Sequence, residues 1–351
     1  MSATPLLELR NVTKVFQSGV RKTPANMTVA LRDASLVLPD GTATATAIAG
    51  ESGSGKTTMA RLLLGFIKPS EGQILYKGVD ITKMDKAQRL AYRREVQPIF
   101  QDPFEVYNPF YKVDHVLTTP LRNFGLYAGE EQKRIEEALE MVGLRPKETL
   151  GRYPHQLSGG QRQRIMVARA LLLRPRIIMA DEPVSMVDAS LRATILDELR
   201  KLVSEFGISL LYITHDLTTA YQVCDDIVVL YQGTVTEVGS VEKVIRDPQH
   251  PYTRLLVSSI PLPDRTQRWG EDDSAITEEQ ARRSTSGCRF APRCARAMEE
   301  CWTQIPPLFR VDPDRAASCF LRKDAPVLPS EQVGQVLKVM RPGDAGNAPA
   351  A

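Results

Sequence analysis

Along the first 250 residues, short β-branched or apolar runs alternate with helix-like stretches. Residues 6–16 and 29–38 predict early strands, with turn formers between them. Residues 42–49 (TATATAIA) predict a strand that runs into a glycine loop. Residues 56–66 then predict a helix that stops near Gly65 and Pro69. A second helix is expected over 161–173, ending before Pro175, and a third over 191–206. The runs at 176–180 (RIIMA) and 208–214 (ISLLYIT) are short and apolar, the pattern of strands buried in a parallel sheet. Residues 227–231 and 234–238 flank a Gln-Gly turn and predict a hairpin. The alternation predicts an α/β fold with a mainly parallel sheet.

The pattern changes after about residue 257. Residues 258–275 are polar and proline-bearing, as in a linker; a cysteine-bearing region runs on to 330, and 331–351 reads as a disordered tail. Composition excludes several classes. The chain has 351 residues, 45 Lys+Arg against 42 Asp+Glu, and 42% hydrophobic residues, so it is not a disordered polyelectrolyte. A net charge of +3 gives no reason to expect nucleic acid as a partner. There is no apolar run of about 18 residues to span a bilayer. The N-terminal stretch lacks the basic flank and apolar core of a signal peptide, which points to the cytosol. Cysteines stand at 224, 288, 294, 301 and 319; in a reducing compartment the last four read as metal ligands before disulfides.

Residues 50–57 (GESGSGKT) match GxxxxGK[ST] between a predicted strand and a predicted helix. Gly50, Gly53 and Gly55 let the backbone N–H groups around Glu51, Ser52 and Ser54 turn inward to phosphate oxygens. Lys56 is expected to reach the β- and γ-phosphates and Thr57 to ligate Mg²⁺, with Thr58 beside it in the first helical turn. Residues 177–182 (IIMADE) place Asp181 at the end of an apolar strand, as a second Mg²⁺ ligand. Glu182 next to it is placed to polarise a water as general base. Residues 157–161 (LSGGQ) put Ser158, Gly159, Gly160 and Gln161 at the start of the 161–173 helix, a second anion-binding helix end.

At this point the chain resembles the ATP-binding cassette (ABC) ATPases, whose signature is LSGGQ. The resemblance covers about residues 6–257. It implies that Gln101 (IFQDP) senses Mg²⁺ and the γ-phosphate, that His215 (YITHD) is the switch histidine, and that Phe16 stacks on adenine. Residues 185–188 read SMVD where the family usually has SALD, keeping the Ser and Asp ends. The fold implied is a parallel-sheet core with an antiparallel β part and a helical subdomain that carries the signature. The RDPQHPYTRLL segment (246–256) and the cysteine segment GCRFAPRCARAMEECW further resemble ATPase subunits of the oligopeptide/dipeptide/nickel importers. Where relatives have a small-residue run before Asn-Pro, this chain has Phe104–Tyr107 (FEVY).

The cysteine spacing, x5 then x6 then x17, is not CxxC and suits a zinc ribbon poorly. Four thiolates, Cys288, Cys294, Cys301 and Cys319, complete the ligand set of a cubane cluster, and the resemblance implies [4Fe–4S] there. Zinc and buried, metal-free thiols are the alternatives. Arg289, Arg293 and Arg296 are expected to offset the cluster's negative charge. The whole reading is an ABC ATPase at 1–257, an importer-type cysteine region at 258–330, and a tail. It implies an ATP-hydrolysing subunit of a peptide-type importer, with oligosaccharide, opine or metal-chelate cargo as alternatives, working peripherally at the cytoplasmic face of the inner membrane. Its partners would be two polytopic permease subunits, a second ABC ATPase and, indirectly, an extracytoplasmic binding protein. A soluble regulatory ABC ATPase is the competing reading.

Overall fold

The computed structural model describes residues 4–17, 26–101, 107–185, 187, 189–260 and 286–337. Of the linker expected at 258–275, residues 261–275 lie outside them, as do Phe104 and the segment from 338 onward.

Two sheets are built. A four-stranded antiparallel sheet runs in the order β2 (Met27–Leu38), β1 (Leu7–Gln17), β4 (Glu71–Tyr76), β5 (Val79–Asp80). The main sheet has a parallel centre: β9 (Asp226–Tyr231), β3 (Ala45–Ala49), β8 (Ser209–Thr214), β7 (Ile177–Asp181) and β6 (Val96–Ile99). The antiparallel strand β10 (Thr234–Ser240) closes on β9 through a turn in which Gln232 and Gly233 both have positive φ. That turn suits the right-handed twist of a hairpin.

The continuous burial of the central strands follows from the period of two. Ala47, Tyr212, Ile178 and Val229 point into one core, whereas Ile48, Ile213, Ile177 and Val228 point into the other. The second core lies against the antiparallel sheet and α1 (Lys56–Leu63). The first takes in the helical part, with α3 (Asp114–Phe124), α4 (Glu131–Met141) and α6 (Gly159–Leu171) packed together. Both faces of the parallel sheet are thus covered, which is why its strands are mostly apolar.

The expected helices and strands lie within a few residues of the observed ones. Two features differ from the reading. β11 (Phe309–Asp312) and β12 (Arg315–Ala317) extend the main sheet, with Ala316 of β12 opposite Val238 of β10. The cysteine segment therefore sits on the edge of the ATPase sheet, around a small cluster of Ala291, Cys301, Trp302, Phe309 and Phe320. The tail expected from 331 is corrected over 331–337. Ser330–Val336 forms a 3-10 helix, and Val333, Val336 and Leu337 are buried in the second core. The three-residue spacing of the valines gives that short helix one apolar face.

Candidate active site

The register of the parallel strands brings the site together. Ala49 lies opposite Thr214, and Ile213 opposite Asp181, so β3, β7 and β8 end at one level. Gly50, Glu182 and His215 follow directly, in the crevice at the carboxyl ends of an open α/β sheet.

The loop from Gly50 to Gly55 needs glycine for space as well as for conformation. A Cβ on Gly50, at φ +148, would come within 2.2 Å of the Leu230 carbonyl. One on Gly55, at φ +109, would come within 2.7 Å of the Ala30 carbonyl. The loop is pinned to the β9–β10 turn, whose Gly233 N–H donates to the Ser54 carbonyl at 2.8 Å. Lys56 is 7% exposed; its ammonium donates to the carbonyls of Gly50 at 2.6 Å and Glu51 at 2.9 Å. Burial pulls its pKa down, against the carboxylates of Glu182, Asp181 and Glu51. The Ser54 hydroxyl is buried without a hydrogen-bond partner. An orphaned donor and a lysine folded onto loop carbonyls are what a loop ready for phosphate presents. Thr57 is exposed at the start of α1, and Asp181 is half-buried, its pKa raised by burial and then by Glu182. Thr57, Gln101 and Asp181 supply hard oxygen donors, the set Mg²⁺ prefers.

Glu182 is the centre of the polar cluster. One carboxylate oxygen meets Nδ1 of His215 at 2.7 Å, and the other accepts from Nε2 of Gln101 at 3.1 Å. Its backbone has φ +43, an uncommon conformation for a residue with a side chain. The N–H of Glu182 donates to the Ile213 carbonyl, and its own carbonyl accepts from the Ser185 hydroxyl, so the turn is held from both sides. Such over-determined strain is a recurring feature of functional sites.

Ser158 and Gln161 lie at the N-terminus of α6 and close a capping box. The Gln161 N–H donates to Ser158 Oγ at 3.2 Å, and the Ser158 N–H to Gln161 Oε1 at 2.9 Å. The S-x-x-Q spacing carried that signal in the sequence. Among the described residues, no hydrogen bond or ion pair joins 158–161 to the phosphate loop. Phe16 stands 42% exposed on β1, with the Lys14 ammonium 5.1 Å from its ring centre.

All four clustered cysteines, together with His250 and Phe290, line one cavity of about 20 Å³, room for roughly one water. None of the five cysteines is in a disulfide. Burial pushes the thiol of Cys288 up to about 11 and that of Cys319 up to about 12, and raises Cys294. Convergence on one cavity is what a shared ligand needs. In this arrangement, however, no group of three His, Cys, Asp or Glu among the described residues could hold a metal ion. The [4Fe–4S] expectation thus finds no support in the geometry. Cys224 is a buried core cysteine, as expected.

Arg293 departs from its expected role beside the cysteines. Its guanidinium makes a two-pronged ion pair with Glu51 of the phosphate loop, Nη1 to Oε2 at 3.0 Å and Nη2 to Oε1 at 3.2 Å. The Glu51 N–H donates to the buried Tyr252 hydroxyl at 2.9 Å. Sequence reading missed both contacts; the HPY segment marked Tyr252 without indicating where its hydroxyl goes.

Comparison with known proteins fits this geometry. The family profile described as ABC transporter matches residues 31–185, and that described as the C-terminal region of oligopeptide/dipeptide transporters matches 236–301. A Brucella ovis protein named for peptide import is 39% identical over 331 residues, covering 91% of this chain and 99% of its own. The chain belongs to the ATP-binding subunits of the oligopeptide/dipeptide ABC importer family. AppF of Bacillus subtilis, an oligopeptide transport ATP-binding protein, is 37% identical over 322 residues, covering 90% of this chain and 97% of AppF. Among solved structures, the ATP-binding cassette MJ0796 bound to ADP and Pi superposes with a TM-score of 0.58 at 30% identity, over 67% of this chain and 98% of that one. CbiO1 of Clostridium perfringens, part of the ABC transporter complex cbiONQ, gives 0.60 at 26%, over 70% and 92%. The chain is an ABC ATPase, and membership in the importer family favours a transporter role over the soluble regulatory one.

Proposed function

We propose that this chain powers peptide import. Residues 1–257 act as the motor and 258–330 as an importer-specific region. The phosphates of ATP lie in the loop from Gly50 to Thr58, where the backbone N–H groups and the Ser54 hydroxyl donate to them. Lys56 leaves the loop carbonyls for the phosphates. Phe16 offers its ring to adenine. Bound Mg²⁺ would neutralise charge on the phosphates, held by Thr57, Gln101 and Asp181. Glu182 accepts a proton from the attacking water, and His215 and Gln101 hold its carboxylate in place. Ser158, Gly159, Gly160 and Gln161 serve the nucleotide of a second ATPase, whose own signature serves this one. Closing of the pair moves the membrane subunits, and hydrolysis reopens it.

The observation that carries this reading is the Gln101–Glu182–His215 cluster at the strand ends beside the phosphate loop. No described helix is long and apolar enough to cross a membrane, so the membrane path belongs to partner subunits at whose cytoplasmic face this chain docks. A groove of about 340 Å³ between the sheet core and α3 suits that contact; Phe66, 61% exposed, lines it, and Phe110 is 86% exposed on the segment leading into α3. The test is reconstitution of the complex with two permease subunits. Peptide-loaded binding protein should stimulate its ATPase activity; equal stimulation by unloaded binding protein would overturn the import reading.

A second reading concerns the cysteines alone. Their convergence on one cavity favours a shared ligand, and a [4Fe–4S] cluster there requires the four thiols to rearrange around it. Anaerobic protein with about four irons and four sulfides per chain would carry it. Stoichiometric zinc would overturn it. No step of the ATP cycle runs through this group.

A further inference from the structure

Glu51 is an acid in a loop that must receive a polyanion. Every polar group it has is already engaged. Its N–H donates to Tyr252, its carbonyl accepts from Lys56 and from the Ser54 N–H, and its carboxylate takes both prongs of Arg293. Arg293 comes from 242 positions away, on the short turn Ala291–Arg293 that leads into Cys294. Its own place is fixed by aromatic rings. The guanidinium lies 5.7 Å from the ring centres of Tyr231 and Phe290, and Tyr231, Tyr252 and Phe290 pack on one another at 4.5 to 5.5 Å. A planar guanidinium resting on rings and gripping a carboxylate bidentately is the arrangement Lys cannot copy.

We propose that Arg293, reaching in from the cysteine segment, is a positioning residue of the phosphate loop: it neutralises and holds Glu51, so that the loop accepts the phosphates of ATP. This rests on the reading of residues 50–57 as the ATP loop. Without Arg293, the Glu51 carboxylate stands one residue from Gly50 as an unbalanced negative charge facing incoming phosphates. Like charges repel more as the phosphate charge grows, so the penalty is larger for ATP than for ADP. Both side chains are about two-fifths exposed, which keeps the effect modest. The cysteine segment thereby becomes part of the nucleotide site.

The test uses the full chain and calorimetric titration with MgATP and MgADP. Arg293→Ala should weaken MgATP binding by roughly threefold to tenfold, with a smaller loss for MgADP. Arg293→Lys should fall between Ala and wild type, and reports on the charge if the Ala variant folds poorly. In the Glu51→Gln background the Arg293→Ala loss should largely vanish, because no carboxylate is left to unmask. A loss of the same size in that background, or an equal loss for ATP and ADP, would sink the proposal and leave Arg293 a mere structural tie. So would unchanged affinity in Arg293→Ala. Lys56→Ala separates the premise from the inference: if it binds MgATP as well as wild type, the loop reading itself has failed.

Discussion

His215 reaches the carboxylate of Glu182 through Nδ1 at 2.7 Å, from the next parallel strand. This contact fixes one face of the acid, and Gln101 at 3.1 Å fixes the other. A carboxylate so held is oriented before any water arrives. Glu182→Gln keeps the shape and the ability to hydrogen-bond but removes the proposed base. It should lower ATP turnover by roughly 10²–10⁴-fold while MgATP binding persists. Steady-state phosphate release with a parallel binding titration checks it. Turnover like that of wild type would remove Glu182 from the role of base.

Removing His215 acts differently. His215→Ala leaves the proposed base in place but frees one carboxylate oxygen of Glu182, whose strained backbone at φ +43 then has one tether fewer. The expected result is a drop in kcat with KM for ATP nearly unchanged, since the loop that binds the phosphates is untouched. A rise in KM with kcat preserved would place the histidine in binding instead.

Phe66 lines the groove beside α3 and is 61% exposed among the described residues. An exposed aromatic rimmed by polar groups marks an interaction surface. Phe66→Glu should leave the ATPase activity of the isolated chain at the wild-type level. It should abolish co-purification with the permease subunits and peptide uptake by the reconstituted complex. Intact assembly in that variant would move the docking face elsewhere.

How far these relationships were readable depends on their range in the chain. The phosphate loop, IIMADE and LSGGQ are local words, and each physical requirement they meet is met within a few residues. The capping box of Ser158 and Gln161 is equally local. The grip of Arg293 on Glu51 spans 242 positions and follows from the way β12 joins β10, which brings the cysteine segment to the loop. Arg315–Ala317 is too short and too ordinary to announce a strand. The polar run at 331–337 conceals its two inward valines for the same reason, because a single 3-10 turn gives no repeat to detect.

Glu237 lies wholly buried on β10, and its carboxylate accepts the N–H groups of Gln249 and His250 just before α10 (Pro251–Ser258). It thus holds the segment that carries Tyr252 to the phosphate loop. Burial pushes its pKa up to about 7, from an ordinary value near 4.5, against the pull of those two N–H groups. The folded chain therefore binds this proton more tightly than the unfolded chain. The associated stability is fully present below about pH 4.5 and is lost as pH rises through 7, a span worth about 3 kcal/mol at most. Glu237→Gln cannot titrate. Urea unfolding at pH 5 and pH 7.5 should show a stability difference between the two pH values that is smaller in Glu237→Gln than in wild type. The variant's absolute stability should be lower at pH 5, since one amide oxygen replaces two acceptor oxygens. An identical pH dependence in both proteins would mean that Glu237 stays ionised in the fold and that its two backbone hydrogen bonds outweigh the cost of burial.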